Sequence, residues 1–182
     1  GNMLITHWGL SGPPILRLSA WGARYLYAQN YHFKLSINFL PSWTEEKALT
    51  HLYGLRQDHP STFLSKKVWP EFTNRLWHRI LELADIPKEK RWADMRNALC
   101  KSLATTLTTY QLQVDGKSTF KEEFVTCGGV KLDEVDFRTM QSRKFPKLFF
   151  AGEVLDIDAV TGGFNFQAAW TSGWIAGGAM AK

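Results

Sequence analysis

The sequence predicts an α+β fold in which helices are inserted into a β-rich frame, and three observations predict it. Apolar residues alternate at period two over 31–39 and 110–114, and at a period of about 3.6 between those stretches. A short unalternating apolar run near the C-terminus then precedes a long uncharged segment. A chain of 182 residues, 45% of them hydrophobic, can bury a core without staples, and two cysteines exclude a disulfide-built mini-protein. Eight Trp and twelve Phe, with 21% charged residues, exclude a disordered segment.

The elements follow in order. Ser11-Gly12-Pro13-Pro14 puts proline in the first turn of a helix expected over 13–28, with Ile15, Leu16, Leu18 and Leu26 among small residues. From Tyr31 to Phe39 the odd positions are apolar or aromatic and most even ones polar, which predicts a strand with one buried face. Three helices come next. Ser42-Trp43-Thr44-Glu45 reads as a capping box, and His59-Pro60 ends the helix it opens. Pro70 opens a second helix that Pro87 stops, and Trp92, Met95, Leu99, Leu103 and Leu107 mark a third. At that spacing the Trp and Met side chains are core.

Tyr110, Leu112 and Val114 form a second strand, closed by Asp115-Gly116, with Phe120 to Val125 returning as its hairpin partner. Leu148-Phe149-Phe150-Ala151 is expected to be a strand covered on both faces, ending in Gly152-Glu153. A loop containing Asp156, Asp158, Thr161, Gly162 and Gly163 leads to a helix starting near Phe164 or Asn165. Ala168, Ala169, Ser172, Gly173, Ala176 and Gly177 thread that helix, so another backbone can approach it closely.

The net charge of +5 is spread along the chain. The densest basic stretch, Lys88, Lys90 and Arg91, is broken by Glu89 and followed by Asp94, and reads as a solvated helix start; no nucleic-acid partner is expected. Cys100 and Cys127 lack a CxxC or a Cys/His pair at ligand spacing, so no metal site is expected, and free thiols suit a reducing, cytoplasmic setting. Ala159 to Ala181 carries no charge, but its Asn165, Gln167, Thr171, Ser172 and five glycines suit a buried helix and no membrane association.

The segment with the most chemistry is the run of strand, Gly-Glu, acidic loop, Thr-Gly-Gly and helix. At the carboxyl end of a buried parallel strand, Glu153 would face a ligand crevice and could accept hydrogen bonds from a polyol. Gly162-Gly163 would admit a flat or anionic group against the backbone, with the following helix offering unpaired N–H groups and a favourable dipole. A plain loop-to-helix joint has the same two glycines, and both readings stand at this level. Asp156-Ile157-Asp158 also matches the DxD of metal-dependent sugar transferases, or an acidic loop that serves the same crevice or caps a turn. His7, in a turn beside Trp8, reads as a structural group or as a substrate-facing acid or base. His32, His51, His59 and His78 have no partner at ligand or triad spacing.

An ordered set of motifs, Gly128-Gly129-Val130, Glu134-Val135-Asp136, Thr139-Met140-Gln141-Ser142, Leu148 through Asp156 and Thr161-Gly162-Gly163-Phe164-Asn165, resembles the C-terminal signature of the YhiN/BaiN-like flavoproteins. Thr6-His7-Trp8-Gly9-Leu10-Ser11-Gly12-Pro13 resembles another motif of that family. The resemblance implies an FAD-dependent oxidoreductase that passes hydride between NAD(P)H, flavin and a small-molecule substrate. It implies a β-rich, barrel-like domain over 1–41 and 107–140, a helical insertion over 42–106, and the C-terminal strand and helix of a Rossmann-type FAD domain over 141–182. It nominates Gly152, Glu153, Thr161, Gly162, Gly163, Phe164 and Asn165 as cofactor-binding, with the helix N-terminus stabilising negative charge on reduced flavin. No catalytic acid, base or nucleophile is nominated.

A dinucleotide-binding half of this design needs a strand, a GxGxxG turn and a helix. Gly9-Leu10-Ser11-Gly12 lacks the third glycine, and Gly173-Trp174-Ile175-Ala176-Gly177-Gly178 comes in the wrong place. The chain is therefore expected to be the middle and C-terminal part of a longer flavoprotein, inactive alone, weak in FAD binding and prone to self-association through an uncovered apolar face. The competing class is a non-catalytic binding or interaction module that keeps the flavoprotein scaffold.

Overall fold

A computed structural model describes residues 1–117, 126–160 and 162–182. They fall into two compact units, one of Gly1–His32 with Asp115–Lys182 and one of Phe33–Val114.

The first unit opens with a hairpin of β1 (Leu4–Ile5) and β2 (Leu10–Ser11), antiparallel with Leu4 opposite Ser11. The Thr6 N–H donates to the Gly9 carbonyl at 2.8 Å to close the turn, and His7 and Trp8 lie exposed at its tip. Next comes α1 (Pro13–Ala28), over the expected range, with its prolines where first-turn N–H groups have no helical partner.

β3 (His32–Ile37) leads into the second unit, which holds α2 (Glu45–Asp58), α3 (Asn74–Leu83), α4 (Asn97–Thr109) and most of β4 (Tyr110–Asp115). β3 and β4 pair with each other and alternate in burial, as their period-two sequences require. The expected hairpin partner of β4, Phe120 to Val125, lies outside the described residues.

Three helix boundaries differ from expectation. Ser42 sits at φ 70 and is not the cap; the Thr44 hydroxyl accepts from the Lys47 N–H at 3.2 Å, ahead of Glu45 and Glu46, which favour the dipole. Pro70 lies in a turn, and α3 begins where the Thr73 hydroxyl accepts from the Leu76 N–H at 3.1 Å. The Trp92-to-Leu107 repeat is broken: Trp92–Asp94 is a 3-10 turn, Met95 is extended, and α4 starts at Asn97. A 3-10 turn also returns residues to one face every three positions, so spacing alone could not reveal the break.

Trp92 and Met95 are core as expected, and Trp43 packs half-buried against the same core. Trp77, Trp92, Leu52, Leu64, Ile80, Leu81, Met95, Leu103 and Leu107 are fully buried, each contributing roughly 1.5–3 kcal/mol by removal from water. An irregular ladder joins the 63–65 segment to residues 88–91. Phe63 bridges Arg91 antiparallel, Leu64 N–H donates to the Lys90 carbonyl at 2.8 Å, and Ser65 N–H to the Lys88 carbonyl at 2.9 Å. The indole of Trp77 donates to the Leu64 carbonyl at 2.6 Å, fastening α3 to the same segment.

The C-terminal half of the first unit contains β5 (Val135–Asp136), antiparallel to β6 (Gln141–Ser142), and α5 (Phe164–Met180). Val135, Met140, Leu155 and Ala176 form its small core. The run 148–151 is not the expected buried strand. Phe149 makes one antiparallel bridge to Gln141, and the run is half-buried or exposed. A strand exists only through its ladder, and this run has a single bridge. The barrel expectation is corrected too: among the described residues the strands pair as three separate two-stranded sheets. β1, β2, β5 and β6 are two residues each, too short to extend a ladder around a closed barrel.

Asp136 offers a pH test of this corner. Its carboxylate accepts from the Arg138 backbone N–H at 3.1 Å and from Arg138 Nε and Nη2 at 3.1 and 2.8 Å. These bonds hold its pKa down to about 2. A depressed native pKa gives stability that is present above the ordinary carboxylate range and is lost as pH falls through the native value. A carbon-detected NMR titration of Asp136 should therefore show a midpoint of about 2, moving upward in Arg138→Ala.

Candidate cofactor site

The nominated residues are positioned by backbone constraints that meet around α5. Gly129 presses against the segment after Val154: a Cβ there would lie 2.5 Å from the Val154 carbonyl oxygen. Only glycine allows Val130 N–H to donate to Val154 at 2.8 Å while Asp156 N–H donates back to Val130 at 3.0 Å. These bonds carry the chain into a 3-10 turn, Gly152–Val154, with Gly152 at φ 81. The Gly152 N–H donates to the buried Ser172 hydroxyl of α5 at 2.9 Å, and that hydroxyl donates to the Ala169 carbonyl.

The acidic loop beyond this turn is fastened on both sides. Both oxygens of Asp156 accept from Arg24 Nη2 of α1, at 2.8 and 2.9 Å. The Cys127 thiol hydrogen-bonds Asp158, which with partial burial and nearby carboxylates pushes the thiol pKa up, away from a reactive thiolate. The Asn165 side chain clasps Ala159, accepting from its N–H at 2.8 Å and donating to its carbonyl at 2.9 Å.

At the end of the loop Gly162 and Gly163 take φ 142 and φ 91, and Gly163 is the left-handed residue that starts α5. Among the described residues no side chain caps this helix: its N-cap position is Gly163, which has none, and Asn165 in the first turn is committed to Ala159. Its first-turn N–H groups have no partner within the helix, and a Cβ at Gly163 would meet nothing within 4 Å. An open, glycine-lined helix start with an exposed Phe164 beside it can receive an anionic or flat group.

The structure thus places the nominated residues in two places. Gly162, Gly163, Phe164 and Asn165 stand at the N-terminus of α5. Gly152 is tied to Ser172, nine residues along the helix from Gly163 and about 13 Å at the α-helical rise. Glu153 is exposed in the 3-10 turn and not at a strand end. Thr161 lies outside the described residues. A ligand touching both places would be elongated. Sequence reasoning missed Arg24, Ser172 and the clasp of Asn165 on Ala159; Arg24 and Asp156 are 132 residues apart, with no local signal linking them.

α5 also shows a face with no cover among the described residues. Phe166, Trp170 and Trp174 recur every four residues and are exposed, Trp174 at 84%. On α1, Trp21 and Tyr25 repeat the pattern. Among the described residues no helix is long and apolar enough to cross a membrane.

Fold and site together define a mixed helical and antiparallel module ending in a glycine cradle ahead of a long helix. Residues 1–125 match a family model described as the HI0933-like protein barrel and H2TH domain, and the chain belongs to that family. The chain is 38% identical over 174 residues to a ribosomal RNA dihydrouridine synthase of Escherichia coli, covering 95% of this chain and 40% of that protein. It is 31% identical over 190 residues to a 3-dehydro-bile acid delta(4,6)-reductase of Clostridium scindens, covering 100% of this chain and 44% of that protein. A ribosomal RNA dihydrouridine synthase of Haemophilus influenzae is 28% identical over 95% of this chain and 40% of its own length. The chain spans less than half the length of these relatives.

The expectation of no nucleic-acid partner is overturned by these relatives, two of which are named for action on ribosomal RNA. Basic residues that are far apart along the chain also come closer in the fold: the ladder of 63–65 with 88–91 pairs the backbone next to Lys66 with that of Lys88 to Arg91.

Proposed function

We propose that this chain is the substrate-side and C-terminal part of an FAD-dependent oxidoreductase of the YhiN/BaiN-like kind. In this reading 1–41 and 107–140 belong to the β-rich insert domain, 42–106 are the helical insertion, and 141–182 complete the flavin domain. The observation that carries the reading is the uncapped start of α5 behind Gly162-Gly163, with its approach loop held by Arg24 and Asn165.

The names of the relatives suggest the reaction class. A dihydrouridine synthase and a delta(4,6)-reductase both add two hydrogens across a carbon–carbon double bond conjugated to a carbonyl. When bound, flavin supplies the hydride for such a reduction, recharged by NAD(P)H, and a proton completes the product. The residues of this chain bind and orient. The amides of Phe164 and Asn165 would favour negative charge at the cofactor, and the Asn165–Ala159 clasp fixes their direction. Arg24 neutralises Asp156, which would otherwise place a carboxylate charge near an electron-rich group. The exposed aromatic faces of α1 and α5 suit cover by the rest of a longer protein.

The test is a titration of FAD fluorescence. The chain alone is expected to quench it weakly, and the chain mixed with the unmatched portion of the E. coli relative is expected to quench it strongly and to oxidise NAD(P)H. Gly163→Val should cut flavin affinity of the mixture at least tenfold while leaving the circular dichroism of the helical unit unchanged. Tight flavin binding in which Gly163→Val has no effect would remove the cradle from the account.

A further inference from the structure

We infer that the helical unit of this chain carries an RNA-contacting surface, formed where the 63–66 segment pairs with the connection between α3 and α4. The inference rests on the oxidoreductase reading for the identity of the reaction, but locates a substrate contact that the cradle does not supply. Phe33–Val114 holds most of the chain's excess positive charge, so its arrangement decides whether that charge can act together.

It is gathered by backbone bonds. Lys66 directly follows Ser65, whose N–H donates to the Lys88 carbonyl, and Leu64 N–H donates to the Lys90 carbonyl. Residues more than twenty positions apart in sequence are thereby neighbours. Arg91 lies over the exposed ring of Phe63, its guanidinium carbon 4.4 Å from the ring centre, and donates to the Ser61 carbonyl at 2.7 Å. His78 of α3 contacts the Ser65 carbonyl at 3.0 Å, which sets exposed Arg75, one turn earlier on α3, on the same side.

Among the described residues no ion pair takes up Lys66, Lys88, Lys90, Arg91 or Arg75. Three acidic residues lie in the connection between α3 and α4. Asp94 accepts from the Arg91 N–H in the turn, and Asp85 and Glu89 are exposed, against Lys88, Lys90, Arg91 and Arg96 of the same connection and Lys66 of the facing segment. Lys67 is not available, because it donates to the carbonyls of Pro70 and Phe72.

The scaffold beneath is rigid. Leu64 is fully buried, its carbonyl held by Trp77, and buried Trp92 donates its backbone N–H to the Thr62 carbonyl at 3.0 Å. Cations on a held backbone, without an ion pair among the described residues and beside an arginine stacked on an exposed aromatic ring, match a phosphate backbone with an accessible base better than they match a small apolar substrate. A bile-acid-sized ligand would leave these charges unused. A folded RNA would use them.

The test compares the full chain with Lys66→Glu/Lys88→Glu and with a control of equal charge change in the other unit, Lys131→Glu/Lys147→Glu. Fluorescence anisotropy would follow binding to bacterial ribosomal RNA fragments, with polyaspartate as the acidic-protein alternative. The patch variant should lose at least tenfold in RNA affinity, and the slope of log K against log salt should fall by about 1 per lysine. The control should change little. Equal losses in both variants, an unchanged patch variant, or polyaspartate bound as tightly as RNA would each overturn the inference. Flavin quenching in the mixture, read on the same proteins, separates the two proposals. RNA binding lost in the patch variant with quenching intact upholds both, and intact quenching without any RNA binding sinks this one alone.

Discussion

Replacing Gly129 with valine is expected to destabilise the first unit by about 3 kcal/mol or more, a size reached only by a few mechanisms. Its Cβ would lie 2.5 Å from the Val154 carbonyl oxygen, 2.7 Å from the Leu155 carbonyl carbon and 2.8 Å from the Asp156 nitrogen. All three are backbone atoms, so no side-chain rotation relieves the overlap. The residue also holds φ 148, where a β-branched side chain is strained. Separating the strands would break the paired bonds of Val130 with Val154 and Asp156, and with them the approach to the 3-10 turn and the acidic loop. Gly54→Ala, within α2 and with nothing inside 4 Å of its new Cβ, is the counterpart: it should stabilise by roughly 0.5–1 kcal/mol. Urea unfolding of both variants checks the pair, and equal small effects would mean that the close approach at Gly129 is not real.

The sequence revealed elements better than their partnerships. Helix α1 matches its expected range, because proline at its start and a following glutamine and asparagine punctuate the chain locally. β3 and β4 were legible from alternation alone, but their pairing across more than seventy residues was not, since a period of two shows a face and says nothing about a neighbour. The Leu148–Ala151 run shows the reverse failure. Four apolar residues satisfy a buried-strand pattern, yet pattern cannot supply the second strand that would make the ladder. Capping was misplaced by two residues at α2 because Ser42 and Thr44 both carry a hydroxyl, and only backbone conformation selects between them.

The candidate site divides along the same line. Gly162-Gly163 before α5 could be read directly, since glycine at positive φ is a local property. The groups that hold the cradle in place were invisible, because Arg24, Ser172 and Cys127 act across distances that no motif spans. The cations met the same limit. Lys88, Lys90 and Arg91 seemed diluted by Glu89 in one dimension, whereas folding adds Lys66 from the facing segment and turns Asp94 into a backbone acceptor. Charge clustering is a property of the surface, and a linear scan underestimates it wherever two segments pair.

Trp77→Ala should cost the helical unit about 3–5 kcal/mol, a large part of the roughly 5–15 kcal/mol that keeps a domain folded. Trp77 is fully buried, so its removal leaves a cavity among Leu64, Ile80 and Leu81, and it also removes the donor to the Leu64 carbonyl. Trp77→Phe separates these contributions. It keeps most of the ring and leaves a buried carbonyl without its partner, for about 1–3 kcal/mol. Trp92 is the internal comparison: it is equally buried, but its indole nitrogen has no partner among the described residues. Trp92→Phe therefore forfeits apolar contact and no hydrogen bond, and should cost less than Trp77→Phe. Denaturant midpoints for the three variants decide the matter, and Trp92→Phe proving the more damaging would show that the Trp77–Leu64 bond does not hold α3 to the ladder. Because the Leu64 N–H and carbonyl link the Lys90 backbone to α3, Trp77→Phe should also weaken binding at the proposed RNA surface without altering any charge.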